Sequence, residues 1–128
     1  MVESILDTIK PMVNVEVNNT SFDAVLIPFI NSALSVVTQL GVGPVSGFRI
    51  TDNTKTWTEL LGTRTDLDIV VTNIYCRVRL GFDPPTNSFL VAALEHQKVE
   101  TDWRIEAWHK PSMALAETYV DTPEPEDV

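Results

Sequence analysis

The chain has 128 residues, 44% of them hydrophobic, which is enough material for one core and not for two. Nine basic against eighteen acidic residues leave a net charge of −9, with five of the acids and neither Lys nor Arg in residues 111–128. That balance excludes a general surface for gripping nucleic-acid phosphates, which needs Lys and Arg, and a single cysteine excludes an internal disulfide.

The N-terminal "VESILDTIK" reads as a short helix stopped by Pro11, and "MVNVEVN" as an extended connector or single strand. Glu3 and Asp7 stand where a secretory leader carries basic residues. The longest apolar stretch, "AVLIPFINSALSVV", is interrupted by Pro28, Asn31 and Ser32 and is shorter than the ~20 residues of a membrane span. The expectation is a soluble protein of a reducing cytosol, with no membrane contact.

In "TSFDAVLIPFINSALSVVTQLG", Leu26, Phe29, Ile30, Ala33, Val37 and Leu40 recur at helical spacing. Thr20 and Asp23 predict a capping box, Pro28 a kink, and Gly41 the stop. The glycines of "GVGPVSG" follow a helix end, where carbonyls rather than N–H groups are free, and no Lys-Ser or Lys-Thr pair follows. They predict a helix stop and an ordered surface loop, not a phosphate cradle.

"TWTELLG" predicts a two-turn helix capped by Thr56 and Glu59 and closed by Gly62, with Trp57 in the core. In "TDLDIVVTNIYCRVRLGFDPP", Leu67, Val70, Val71, Ile74, Tyr75 and Val78 keep helical period despite many β-branched residues. Asp66 and Asp68 suit its start, Arg77 and Arg79 its end, and Gly81, Pro84 and Pro85 its termination. Cys76, inside that helix, reads as a small buried hydrophobe.

The last helix is expected to begin near Asn87 or Ser88 and to run through Trp108, with Lys98–Asp102 and Glu100–Arg104 as four-apart ion pairs. Its first half offers an apolar face at Leu90, Ala93 and Leu94, while Trp103 and Ile105 point to nearly opposite sides. Trp103 shares a face with Val99, and Trp108 with Arg104 and Ile105. One of these faces meets another chain, or both cap the bundle. His96 and His109 lack companions at zinc-ligand spacing, and no nucleophile, base and orienter assemble, so no catalytic, metal or cofactor site is expected.

The sum is an all-α domain, a small bundle of four to five helices with one long loop, over residues 1–108. Residues 109–128 form an acidic C-terminal tail that docks on a partner or stays unstructured.

The run "TSFDAVLIPFINSALSVVTQLGVGPVSGFRI", then "TWTELLG", then "VRLGFDPPTNSFLVAALEHQKVETDWRIE", resembles the small head-to-tail connector proteins of tailed bacteriophages. The order of "INSA", "QLGVGP", "TW", "FDPP" and "DWR" carries the resemblance over about residues 20–106. It implies a subunit without catalytic residues or cofactor that joins copies of itself in a twelve-membered ring beneath the portal protein, in the virion neck, after synthesis in the host bacterial cytoplasm. Such a ring prolongs the DNA channel and carries the next neck or tail connector. A negative lumen would let the genome slide without specific binding.

The resemblance places portal docking at Trp103, Arg104, Trp108, Met113, Leu115 and Tyr119. It places ring contacts in the 41–52 loop, at Gly41, Val42, Gly43, Pro44, Phe48 and Arg49. The chain departs from the family pattern by continuing well past "DWR" to Val128. The alternative that composition supports is a small acidic regulatory protein that binds and inhibits a basic partner.

Overall fold

The computed structural model describes residues 4–108, which form five helices. They are α1 (Ile5–Met12), α2 (Asp23–Gln39), α3 (Trp57–Leu61), α4 (Leu67–Phe82) and α5 (Ser88–Trp108). Among the described residues the only β pairing is an isolated bridge between Ser4 and Thr56, so the all-α expectation holds. Residues 109–128, and with them the tail's Met113, Leu115 and Tyr119, lie outside the described residues.

α4 is the central helix: it packs against both α2 and α5, which scarcely meet one another. Leu26, Ile30, Leu34 and Val37 of α2 meet Val70, Ile74 and Val78 of α4 in one core, which Ile5, Leu6 and Ile9 of α1 and Trp57 and Leu60 of α3 complete. Trp57 is buried as expected, and its indole N–H donates to Thr8 Oγ1 at 3.0 Å. Thr56 and Glu59 form the full capping box of α3. Cys76 is fully buried, and burial pushes its thiol above the ordinary range.

Several local expectations are corrected. Pro11 does not stop α1, which runs to Met12 and is left through Asn14 at φ 66°. A proline removes only its own N–H, and in the last turn the helix tolerates that loss. "MVNVEVN" is neither strand nor extended connector beyond Met12: it turns, and drops Val13 and Val15 into the core. Thr20 does not cap α2. The N-cap is Phe22, which makes no side-chain cap bond, and Asp23 pairs instead with the buried Lys10 at 2.9 Å. Lys10 Nζ also donates to the Val17 carbonyl at 3.1 Å, so a charge on α1 fixes both the connector and the start of α2. α2 runs on through Pro28.

Gly81 is not a terminator: it lies inside α4's last turn, close against the Phe29 ring of α2. A Cβ there would stand 2.6 Å from Phe29 Cε1. Phe29 is in turn held edge-on to Phe82, centroids 6.2 Å apart. Gly81→Ala gains ~1 kcal/mol of helix propensity but overpacks this contact at a cost of ~1–3 kcal/mol. The expected outcome in urea unfolding is a net loss of ~1 kcal/mol that Phe29→Leu in the same chain largely restores. A stabilised Gly81→Ala single variant would contradict this contact.

The anticipated Lys98–Asp102 pair is replaced by two others. Lys98 meets Glu95 at 3.0 Å, and Asp102 meets Arg77 of α4 at 2.6 Å. The Glu100–Arg104 pair forms, at 3.2 Å.

Candidate assembly surface

α5 is a 21-residue helix that buries only Thr101 and Ile105. Its deepest burial is therefore localised, and three contacts anchor it there, while Val91, Leu94 and Ala107 are partly covered along its length. Ile105 is fully buried in the common core. Arg77 Nη2 donates to both oxygens of Asp102, at 2.6 and 2.7 Å, while Asn73 Nδ2 reaches Asp102 Oδ1 at 2.7 Å and Thr101 Oγ1 at 2.8 Å. Arg77 Nε donates back to Asn73 Oδ1 at 3.1 Å, which closes a polar network across α4 and α5. Buried polar groups are tolerable only when paired, so this network fixes the rotation of α5 about its own axis.

The third contact is Arg64, in the link between α3 and α4. Its guanidinium is bidentate to Asp66 at 3.0 and 2.6 Å and donates to the Ile105 carbonyl at 3.2 Å. It reaches the Gly41 carbonyl at 3.5 Å and lies 5.3 Å from the Trp108 ring centroid. One cation thus gathers the end of α2, the start of α4 and the last turn of α5, where free helix carbonyls favour positive charge. Trp108 is half-exposed and engaged by this stack, whereas Trp103 stands in solvent.

The expected apolar face at Leu90, Ala93 and Leu94 does exist, but it is not a core face: Leu90 and Ala93 are exposed and Leu94 only partly covered. Among the described residues no second helix lies over this face of α5 to bury it. Phe89 is 85% exposed, Leu90 53%, Val99 62% and Trp103 64%. The second half is two-sided as its sequence predicts, with Ile105 inside and Trp103 outside.

The 41–52 loop is fixed at its near end by its own glycines and at its far end by a residue of α2. Gly41 and Gly43 take φ of 112° and 85°, and a Cβ on Gly43 would meet Leu60 Cδ1 at 3.0 Å. Val42 is fully buried in the subunit's core, so its side chain is not presented to a neighbour. Phe48 is partly buried against the same core, while Pro44 and Arg49 are exposed and Val45 forms the outermost tip. The far end is clipped by Asn31, which accepts from Ile50 N at 2.8 Å and donates to Ile50 O at 3.0 Å, imitating a strand partner. Between the loop and α2 lies an open groove of ≈ 800 Å³ lined by Asn31, Ser32, Ser35, Thr38, Phe48 and Arg49.

Sequence reasoning brought Trp103, Arg104 and Trp108 to one end of α5, and there the structure puts them. It missed Arg64, Asn73 and Asn31. The available signals were polar residues at core positions of apolar helices, "VVTNIYC" and "FINSAL", and the "RTD" ahead of a helix.

Among the described residues no three His, Cys, Asp or Glu side chains gather as metal ligands, and no helix is long and apolar enough to cross a membrane. In a comparison with protein families, the one described as phage connector protein matches residues 5–111. No curated protein and no solved structure matches.

Proposed function

The chain belongs to the phage connector protein family, and from that premise we propose that it is a structural subunit of the virion neck that assembles as a ring beneath the portal protein. The ring, of twelve copies by family resemblance, extends the DNA channel and supports the next neck or tail protein. The chain works by assembly, without turnover or cofactor. The observation that carries this reading is the match over residues 5–111 together with an α5 that leaves its apolar side uncovered. A helix that buried its whole apolar surface would have nothing to offer a neighbour.

Portal docking falls to the C-terminal end of α5, at Trp103, Arg104 and Trp108, continued by Met113, Leu115 and Tyr119. The exposed part of the 41–52 loop, with Pro44 and Arg49, serves the ring contacts together with Gly41, Gly43 and Phe48. The net charge of −9 favours a lumen from which DNA is repelled.

The test is the mass of the protein by light scattering over a wide concentration range, with and without portal, and negative-stain imaging of the assembled sample. Open-centred rings are expected, as is Trp103→Ala that folds normally but binds portal ~30-fold more weakly, the ~2 kcal/mol of an aromatic anchor. A small closed complex with a basic protein in place of rings would instead identify an acidic inhibitor.

A further inference from the structure

The exposed residues of α5 are not scattered. Phe89, Ala92, His96, Val99 and Trp103 all belong to the exposed class and follow one another at intervals of three, four, three and four. That is the spacing of a helix–helix seam, in which each side chain fills a hole on a facing surface. Short of Trp103, Phe89 and Val99 with the flanking Leu90 leave on the order of 350 Å² of side chain in water, nearly half of the ≈ 800 Å² per partner of a standard interface.

A second apolar patch lies at the start of α2, where Phe22 rests edge-on against Phe82 of α4, centroids 6.1 Å apart. Of the large apolar side chains exposed outside α5, Met12, Val17, Phe22 and Val25 fall between the end of α1 and the first turn of α2. Lys10 draws this segment together through the Val17 carbonyl and the Asp23 carboxylate.

From these two surfaces we infer that the Phe89–Val99 part of the α5 seam, short of the portal-facing Trp103, is covered by a second copy of this chain, through the Phe22–Val25 start of that copy's α2. This deepens the ring reading above and rests on it. Electrostatics supports a like copy. Two chains of −9 repel unless they meet where charge is already compensated. Of α5's four carboxylates the three nearest the seam are so compensated, Glu95 by Lys98, Glu100 by Arg104 and Asp102 by Arg77, while Glu106, exposed beyond Trp103, has no ion pair among the described residues. Because the two patches differ, the contact is heterologous: each copy uses its α5 on one neighbour and its α2 on the other, and the series closes into a ring.

The experiment uses two full-length variants, Phe89→Ser with Val99→Ser, and Phe22→Ser with Val25→Ser, measured by light scattering under the conditions in which the unaltered chain forms rings. Each variant alone is expected at the 14.3 kDa of one subunit with unchanged circular dichroism; the α5 variant keeps its thermal midpoint because Phe89 and Val99 are exposed, while the α2 variant loses the Phe22–Phe82 edge contact, centroids 6.1 Å apart, and melts a few degrees lower. Mixed, they are expected to form one-to-one dimers and nothing larger, since one intact α5 meets one intact α2. A benzophenone amino acid in place of His96 should cross-link to residues near Phe22 of another copy.

Rings that survive the α5 substitutions overturn the seam while leaving the ring intact. An α2 variant that still pairs by itself shows an α5–α5 contact and overturns the heterologous geometry. An unaltered chain that stays monomeric at every concentration and on portal overturns the ring reading, and this inference with it.

Discussion

Ile105→Ala is expected to lower the unfolding free energy by about 3–4 kcal/mol and the thermal midpoint by about 15 °C. The reason is the economy of α5's attachment: of its apolar residues only Ile105 is fully buried, and it enters the core shared with α2 and α4. Truncation removes three carbons from water-free packing and leaves a cavity that α5 cannot close without shifting the polar network three residues earlier. Hydrogen exchange should show protection lost in α5 before the rest of the chain, since a helix held at few points opens locally. Val99→Ala on the opposite side of the same helix is the control, with a change within ~0.5 kcal/mol. A loss below ~1 kcal/mol at Ile105 would show that α5 is held mainly by other means.

Asp102→Ala is expected to cost about 2–3 kcal/mol. Its carboxylate accepts two bonds from Arg77 and one from Asn73, and deletion leaves a half-buried guanidinium without its counter-charge. Replacing both partners, as Arg77→Met with Asp102→Leu, should recover most of the loss, because the penalty lies in the stranded charge and not in the absence of a salt bridge. Glu100→Ala, which breaks an exposed pair with Arg104, should cost only ~0.3 kcal/mol. Chemical unfolding of the three variants checks the order. Equal losses at Asp102 and Glu100 would mean that the α4–α5 network contributes no more than a surface pair.

Both positions bear on the proposed assembly. The "DWR" segment combines two roles on adjacent residues: Asp102 turns inward and locks α5 to α4, and Trp103 consequently turns outward. A helix free to rotate would present its aromatic residue in many directions and lose more entropy on docking. Arg64 acts alike at the next turn, where its bonds to Asp66 and Ile105 and its stack on Trp108 hold the end of α5.

The order and type of the helices were legible because each carries its own local signal. Spacing of Leu26, Ile30, Ala33 and Val37 sets the buried face of α2, Thr56 with Glu59 starts α3, and Asn87, whose side chain accepts from Phe89 N at 2.7 Å, starts α5. Gly41 closing α2 needed only the chain's own sterics. Errors fell where a residue had a choice of partners. Asp102 has Lys98 four positions away and Arg77 on another helix, and local spacing favours the first. The bidentate fork of Arg77, supported by Asn73, makes the second the stronger. Asp23 likewise left a local cap for Lys10.

By itself, then, the sequence determined the helical class, the boundaries of α2 to α5 to within a residue or two, the glycine-rich stop after α2 and the family resemblance. All of these depend on residues within a turn or a motif of one another. Only the tertiary structure decided which apolar faces are core and which are surface. Leu90, Ala93 and Val99 are as apolar as Ala33 and Val37, and no property of α5 alone says whether a helix will lie across it. That depends on where α4 has placed α2 and α5. With the two on separate flanks of α4, the face of α5 turned from it meets solvent.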